Sequence, residues 1–476
     1  MGKKYTDNYR LDIAYATIFR NLKPIEEIPI HTALDITSGD NLTKKDMVPG
    51  DHIVYGGGGE TGNTHSEFNI DYKTIGIGRV GARCGCVFEI IPNSWVTDNA
   101  LIIQSYDKRF SLSFLRHFLL YSDLGQYANN AMQPVISKTR ISNVTIPLID
   151  IEQQNTLSTI LDSIEKNEKF ESNDYDLLKS KIEIIDNWET LNVEIEIQKD
   201  LTVQLKQSIL HEAIQGKLTA DWREQNPNTE PASELLKRIK AEKVQLIKDK
   251  KIKKGKKQAS IDLGKIQPKI PSDWIYCDLD DITQFITDGT HQTPTYTETG
   301  RMFLSAQNVK PFRFMPENHK YISETAYEEC IRGKKPELGD LLVGRVGSKG
   351  ETAVINQDIE FAYYVSLGFV KTFKDLTNSD YLAIVMNSPY GNQYATGNMS
   401  SIGASAGNYN LGRMRSFPVP FPPLEEQKAI VEKVEDLMQK CQALEVEIKT
   451  NEANAQMLMQ AVLKEAFEGK QEVYAE

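Results

Sequence analysis

Four stretches of this chain occur twice in the same order, and a duplication constrains a fold more than any single motif can. IGRVGARCG at 77–85 returns as VGRVGSKGE at 343–351, which pairs Arg79 with Arg345 and Arg83 with Lys349. FLRHFLLYSDLGQYANNAM at 114–132 matches YLAIVMNSPYGNQYATGNM at 381–399. RISNVTIPLIDIEQQ at 140–154 matches RMRSFPVPFPPLEEQ at 413–427, and ILHEAIQGK at 209–217 matches VLKEAFEGK at 462–470. Whatever architecture one half adopts, the other must adopt too. Each half opens with short β-branched and aromatic runs broken by glycine and proline, passes through one apolar helix and a proline-rich turn, and ends in a long helix. The expected class is α+β, two similar β-rich domains joined by two long helices.

The repeat also serves as a control on motifs. Gly76, Gly78 and Gly81 have the GxGxxG spacing that lets backbone approach a pyrophosphate. In the second copy Leu342 stands at the position of Gly76, and ARCGCVFEIIP after the first copy's glycines reads as strand, not as the helix a dinucleotide site requires. A strand-turn-strand that uses glycine for positive φ accounts for the spacing. NSPY at 387–390 is similar to the tetrapeptide with which adenine methyltransferases grip a target amino group, but its middle proline is missing, as it is from the Tyr121-Ser122-Asp123 counterpart. A helix ended by serine and proline explains it.

The long helices carry apolar stripes. The second has Val434, Leu437, Cys441, Leu444, Ile448, Ala455, Leu458 and Val462 in steps of four and three, a coiled-coil seam interrupted by Asn451. Helical from 424 to 468, it would span roughly 67 Å. The first, over 151–215, has Leu157, Leu161, Ile164, Leu178, Ile182, Ile185, Leu201, Leu205 and Ile209. It holds 20 residues more than its copy, and the polar NEKFESNDYD at 167–176 suggests a break or an added turn. Two matched stripes, each leaving its own half, are expected to pair with each other.

Composition excludes several classes. With 476 residues, 40% hydrophobic and 25% charged, the chain is globular and multidomain. No apolar run approaches the roughly 18 residues that span a bilayer, and the first residues lack a secretory core, so the cytoplasm is the expected location. Cys84, Cys86, Cys277, Cys330 and Cys441 match neither a disulfide framework nor a zinc pair, and neither an HExxH nor a GxxxxGK[ST] sequence occurs, which leaves metal and ATP chemistry without support. The net charge is −11, yet eleven Lys or Arg between Lys237 and Lys257 stand against only Glu242 and Asp249, a local +9 that leaves −20 for the rest. That run reads either as a solvated helix and linker or as an arm that contacts phosphates.

PFPPLEEQKAIVEKVEDL at 420–437, LKQSILHEAIQGKLTADWREQNP at 205–227, GTHQTPTY at 289–296, YGGGGETG at 55–62 and WVTDNA at 95–100 together resemble the specificity subunit of type I restriction-modification systems. The resemblance runs over nearly the whole chain. It implies a target-recognition domain at 1–150, a first helical arm at 151–216, a basic helical linker at 217–270, a second target-recognition domain at 271–423 and a second helical arm at 424–476. In that family each recognition domain reads one half of a split sequence in double-stranded DNA, and the two arms pack antiparallel as a coiled coil. Two methyltransferase (M) subunits dock on the scaffold, and restriction/translocase (R) subunits join the assembly. Recognition without catalytic residues or metal follows, with S-adenosylmethionine bound by the methyltransferase partner and no cofactor by this chain. The other reading is a DNA adenine methyltransferase that carries its own recognition domains. Gln153, where the second copy has Glu426, and the longer first arm depart from symmetry.

Both halves must hold DNA backbone but read different bases, so paired residues point to phosphate contact or fold maintenance, and unpaired polar loops to base readout. Arg79, Arg83, Arg140, Arg345, Lys349 and Arg413 are the backbone candidates; capping carbonyls or pairing with a carboxylate is their structural alternative. The base-reading candidates are Asn63, Thr64, His65, Gln133, Ser137 and Lys138 in the first half, and Thr290, His291, Gln292, Tyr296, Asn408 and Asn410 in the second. Their amide, hydroxyl and basic groups match donor and acceptor edges in the major groove.

Overall fold

The computed structural model describes residues 8–129, 131–170, 175–253, 255–256, 267–348, 350–400 and 407–468. They fall into two compact units, Met1–Glu196 with Thr450–Glu476, and Ile197–Lys449. The class is α+β, and the duplication read from the sequence reappears in the main four-stranded sheet, a parallel pair and a closing pair of each half.

In the first unit, α1 (Tyr9–Asn21) starts where the Asn8 side chain accepts the Leu11 amide, meeting one of the donors a helix start leaves free. α2 (Ile30–Ala33) is a single turn; α3 (Leu112–Tyr121) is capped by Ser111 and α4 (Lys138–Ile141) by Ser137. α5 (Ile151–Glu165) and the start of α6 (Asp176–Ile214) follow. Tyr15 and Phe19 meet Phe114, Phe118, Tyr121 and His117 ring to ring, and Leu157, Leu161 and Ile164 join the same core. Each such buried side chain contributes roughly 2 kcal/mol of transfer free energy. A four-stranded antiparallel sheet runs Leu34–Ser38, Ala100–Tyr106, Thr74–Gly78, Val87–Ile90, and Thr74–Gly78 is buried throughout because it is a central strand. His52–Gly56 pairs in parallel with Trp95–Val96, and Glu26–Pro29 antiparallel with Thr145–Leu148.

The second unit holds the end of α6, α7 (Ala220–Gln225), α8 (Ala232–Lys248), α9 (Glu324–Ile331), α10 (Ser379–Asn387), α11 (Pro389–Gly397), α12 (Leu411–Arg415) and the start of α13 (Leu424–Glu468). Its sheet runs Thr283–Asp288, Leu367–Thr372, Leu341–Gly344, Thr352–Val354, the same order and the same antiparallel senses. Arg301–Leu304 beside Phe361–Tyr363 repeats the parallel pair, and Ile275–Asp278 beside Pro418–Phe421 repeats the closing pair.

The glutamine that ends each proline-rich turn explains why both long helices leave their domains at the same place. Gln154 accepts the Ser111 amide at 2.8 Å and donates to the Ile149 carbonyl at 2.9 Å. Gln427 accepts the Asn378 amide at 2.9 Å and donates to the Pro422 carbonyl at 3.0 Å. Each is fully buried, so each tie is made out of water, where a missing partner is costly. The neighbouring residue differs. Glu426 accepts from Thr219 Oγ1 at 2.7 Å, from Trp274 Nε1 at 2.8 Å and from Arg223, whereas Gln153 in the first half is exposed. The segment 217–226 therefore folds back on the second domain, anchored at the foot of α13.

The arms correct part of the expected stripe. α5 ends at Glu165 and packs on α1 and α3, and α6 begins at Asp176, so the first arm is two helices. On α13 Val434, Cys441, Ile448, Ala455 and Val462 are buried, one residue every seven, joined by Ile430 and Val431 near its start and by Met459 and Ala466 near its end, and in the middle of α6 Ile195, Thr202 and Ile209 are buried with the same period. Leu201 and Leu205 of the expected first stripe, and Leu444 and Leu458 of the second, are exposed, Leu201 by 55% and Leu458 by 51%. Between Cys441 and Ala455 the seam is one residue wide, so Leu444 faces outward, while beside Leu458 it is Met459 that takes the second buried position. Within the second unit the helices run antiparallel, since Lys206 meets Glu445 at 2.6 Å while Thr219, further along the chain, meets Glu426.

Candidate nucleic-acid interface

In each half the repeated arginine sits where the sheet meets the loops. Arg79 donates its amide to the Asn99 carbonyl and accepts from the Ile136 amide; Arg345 donates to Ser366 and accepts from Tyr409 in the same way. Val80 bridges Val135 and Val346 bridges Asn408. A glycine permits the neighbouring loop to come close in both halves: a Cβ at Gly39 would lie 2.3 Å from the Val96 carbonyl oxygen, and one at Gly289 2.1 Å from that of Tyr363.

Around Arg79 a segment with three first-half candidates and the turn of a hairpin come together. Gly81 donates to the Pro134 carbonyl, which brings the exposed segment with Gln133, Ser137 and Lys138 beside the arginine turn. Gly57 lies in the turn of the hairpin whose second strand carries Asn63 and Thr64 towards its open end, where Thr64 pairs with Ile53; a Cβ at Gly57 would lie 2.7 Å from the Asn99 carbonyl oxygen and 2.9 Å from that of Val80, and Arg83 donates to the Gly58 carbonyl at 3.2 Å. Asn63, Thr64 and Gln133 are exposed; Ser137 caps α4, and Lys138 lies 3.4 Å from Asp35. Arg140 is exposed and makes a 3.4 Å contact to the Tyr127 carbonyl.

His65 does not join them. It is 5% exposed, its Nδ1 lies 3.1 Å from both the amide and the carbonyl of Val48, and its ring stands edge-on to Trp95, so it is a core residue out of reach of a base edge.

The second half makes a different use of its arginine. Arg345 is 5% exposed and donates to Asp288 Oδ2 at 2.5 Å, to the Val365 carbonyl at 2.9 Å and to the Tyr409 carbonyl at 3.0 Å. Burial pulls its pKa below the ordinary value, and the Asp288 charge opposes that fall. A guanidinium spent on three internal acceptors has no face left for a phosphate, so Arg345 takes the structural alternative. Ser38, at the position of Asp288, has no charge to offer Arg79, which is half-buried with a 3.1 Å bond to the Asp98 carbonyl. Lys349 lies outside the described residues.

Thr290, His291 and Gln292 follow Asp288 directly. The Thr290 backbone pairs with Tyr363 and Val365, its hydroxyl donates to the Gln292 carbonyl, and His291, exposed, reaches Asp288 Oδ2 at 3.4 Å. Tyr296 is exposed on its short strand against Lys320–Ile322, somewhat apart in the fold. Asn408 is exposed beside Val346; Asn410 is exposed too, but its side chain caps α12 by accepting the Gly412 and Arg413 amides. Arg413 is half-buried on α12.

Sequence reasoning missed Asp288 and Arg415. Arg415 donates to the Ile286 carbonyl at 2.5 Å and to the Lys256 carbonyl at 3.2 Å, joining the linker to the strand that feeds the Thr290 loop. Its only sequence signal is a second arginine two residues after Arg413.

Neither enzymatic decoy survives in the fold. Gly76 and Gly78 lie inside a central strand and Gly81 and Gly85 turn at positive φ into the next strand, with no helix to receive a pyrophosphate. Asn387 closes α10 with its side chain bound both ways to the Thr352 backbone, and Ser388 caps α11. His117, Asp162 and Glu165 bring three potential metal-ligand atoms within 4.8 Å, but Arg116 already supplies a cation there, 2.5 Å from Glu165 and 3.8 Å from Asp162.

Residues 271–453, which span the second sheet, its loops and the start of α13, match the model for the type I restriction modification DNA specificity domain. Over this stretch the chain is similar to that family. The specificity-domain match bears out the resemblance read from the motifs. The type I restriction enzyme EcoEI specificity subunit of Escherichia coli is 27% identical over 258 residues, 52% of this chain and 42% of that protein. The EcoAI specificity subunit, also from Escherichia coli, is 30% identical over 256 residues, 52% of this chain and 41% of that protein. Each match thus spans less than half of the relative's length. The HsdS subunit of Thermoanaerobacter tengcongensis aligns over 93% of this chain and 96% of its own at 15% identity and a TM-score of 0.45. Among the described residues no helix is long and apolar enough to cross a membrane.

Proposed function

We propose that this chain is the specificity subunit of a type I restriction-modification complex, working in the cytoplasm on double-stranded DNA. Each β-rich half reads one part of a split site, the arms hold the two readers, and the bases between go unread. The observation that carries this reading is the repetition itself: one sheet order and one arginine position recur in both halves, while the exposed loop residues around them differ. Shared scaffold with divergent loops is what two independent readers on a common backbone-tracking frame require. Arg79, Arg83, Arg140 and Arg413 remain the backbone candidates. Asn63, Thr64, Gln133, Ser137 and Lys138 on one side, and Thr290, His291, Gln292, Tyr296, Asn408 and Asn410 on the other, remain the base-reading candidates.

The chain itself transfers no methyl group in this reading. S-adenosylmethionine belongs to two methyltransferase subunits that dock on the arms, with restriction/translocase subunits added to that core. The outward apolar positions Ile197, Leu201 and Leu205, spaced by four on α6, give such a partner a continuous stripe.

The test is a genome-wide map of modified bases in the host with and without this gene. Loss of modification at one two-part motif with an unread gap is the expected outcome and names the target. An unchanged map, with the methyltransferase partner expressed, sinks the proposal.

A further inference from the structure

The basic run after residue 237 is two different things. Its first four cations are neutralised where they stand: Lys237 by Glu234 at 2.7 Å, Arg238 by Glu230 at 2.8 Å, Lys240 by Asp281 at 3.1 Å and Lys243 by Asp280 at 3.2 Å. They belong to a helix that packs on the second domain through Ala232, Leu235 and Ile239. Beyond them, Lys248, Lys250, Lys251, Lys253 and Lys256 are all exposed, and among the described residues none of the five meets a carboxylate. The one acid among them, Asp249, accepts instead from the Gln245 side chain.

These lysines are held in place. α8 closes with the Lys250 amide on the Ile247 carbonyl and the Lys251 amide on Leu246, which puts Lys250 at φ 57°, a left-handed position that glycine normally fills. The chain then passes so close to the domain that a Cβ at Gly255 would lie 2.9 Å from Arg415 Nε and 3.2 Å from Asp280 Oδ1. Arg415 fastens the Lys256 carbonyl to that of Ile286, two residues before Asp288 and four before Thr290. The same arginine ends α12, which Asn410 begins. Unneutralised cations are thereby fixed next to the elements that carry two of the second half's candidate reading loops.

We propose that Lys248, Lys250, Lys251, Lys253 and Lys256 form a phosphate-contacting arm of the second recognition domain, gripping duplex DNA beside the bases that the loops read. Like-charged side chains packed at this density repel one another unless polyanion neutralises them, and closely spaced phosphates are such a polyanion. A contact of this kind adds affinity without sequence information. The proposal rests on the DNA-recognition reading.

The experiment uses the full chain reconstituted with its methyltransferase subunit, a fluorescent mixed-sequence duplex, and a titration repeated across salt concentrations. Replacing Lys250, Lys251 and Lys253 together by Gln should lower the slope of log K against log salt by about 0.9 for each lysine that touches a phosphate. The same residues changed to Arg should keep the slope. Lys250→Gly separates binding from folding, because it relieves the left-handed backbone: thermal stability should hold or rise while affinity for the duplex falls. A triple variant whose slope equals that of the wild type overturns the arm, and so does one that loses its methyltransferase subunit on size-exclusion chromatography while the slope is kept, since the lysines would then serve a protein partner. A wild-type complex with no salt-dependent duplex binding removes the DNA reading itself, a result distinct from either.

Discussion

Arg79 and Arg345 occupy one position in two copies of a fold, and a single neighbour separates their roles. Asp288 turns Arg345 inward, while Ser38 leaves Arg79 without a carboxylate. Arg345→Ala would strand the Asp288 carboxylate, which is only 13% exposed, so denaturant unfolding should show a loss of about 3 to 5 kcal/mol. Arg79→Ala should leave stability nearly intact and lower the salt slope of duplex binding by about 0.9. A second residue-scale expectation concerns acid. The hydrogen bond from His117 Nε2 to Asp162, at 2.8 Å, together with the nearby Arg116, holds the Asp162 carboxyl below its ordinary pKa against the opposing effect of burial. A depressed carboxylate contributes stability that is present above its unfolded pKa of about 3.9 and is lost as pH falls through the lower folded value. Thermal melts between pH 5 and pH 3, taken at about half-unit steps, should therefore show a drop that Asp162→Asn lacks.

At the scale of elements, the foot of α13 is the position most exposed to a single substitution. Glu426 satisfies donors from Thr219, Arg223 and Trp274, and at 1% exposure it has no water to replace it. Glu426→Ala should cost about 3 to 5 kcal/mol and change the Trp274 fluorescence, whereas Gln153→Ala at the matching position of the first half, on an exposed side chain, should cost under about 0.5 kcal/mol. Equal losses at the two sites, measured by urea unfolding, would contradict the asymmetry of the two helix starts. On α6, Leu201→Lys places a charge on an exposed apolar position away from the Ile195, Thr202 and Ile209 seam. Co-purification with the methyltransferase subunit should weaken while the melting temperature stays within a degree or so, since surface changes away from packing sites are usually small.

For the whole molecule, the repeated sheets predict modular specificity. On the proposed reading, replacing residues 271–423 by the same stretch of a known type I specificity subunit should change one half of the modified motif and leave the other half and the gap untouched, as read by a map of modified bases. Change in both halves would mean that the two sheets do not read independently.

The sequence by itself determined the duplication, and with it the α+β class, the paired arginines and the long helices, because repeated apolar periodicity and repeated turn residues dictate local structure wherever they occur. The resemblance to specificity subunits was legible in the proline-rich entry to α13 and the glycine-framed loops. What the sequence left open is set by contacts between residues far apart in the chain. His65 looks like a loop histidine until Val48 and Trp95 close over it, and Arg345 looks like a phosphate ligand until Asp288, 57 residues earlier, takes its charge. Leu201 and Leu458 fit an apolar stripe, yet Thr202 and Met459 beside them take the buried positions, so they face outward. Lys240 and Lys243 differ from the lysines at and beyond the end of α8 through Asp281 and Asp280, which the second domain folds beside them. Local pattern fixes what each residue can do; burial and charge pairing across the folded chain decide which of those capacities is used.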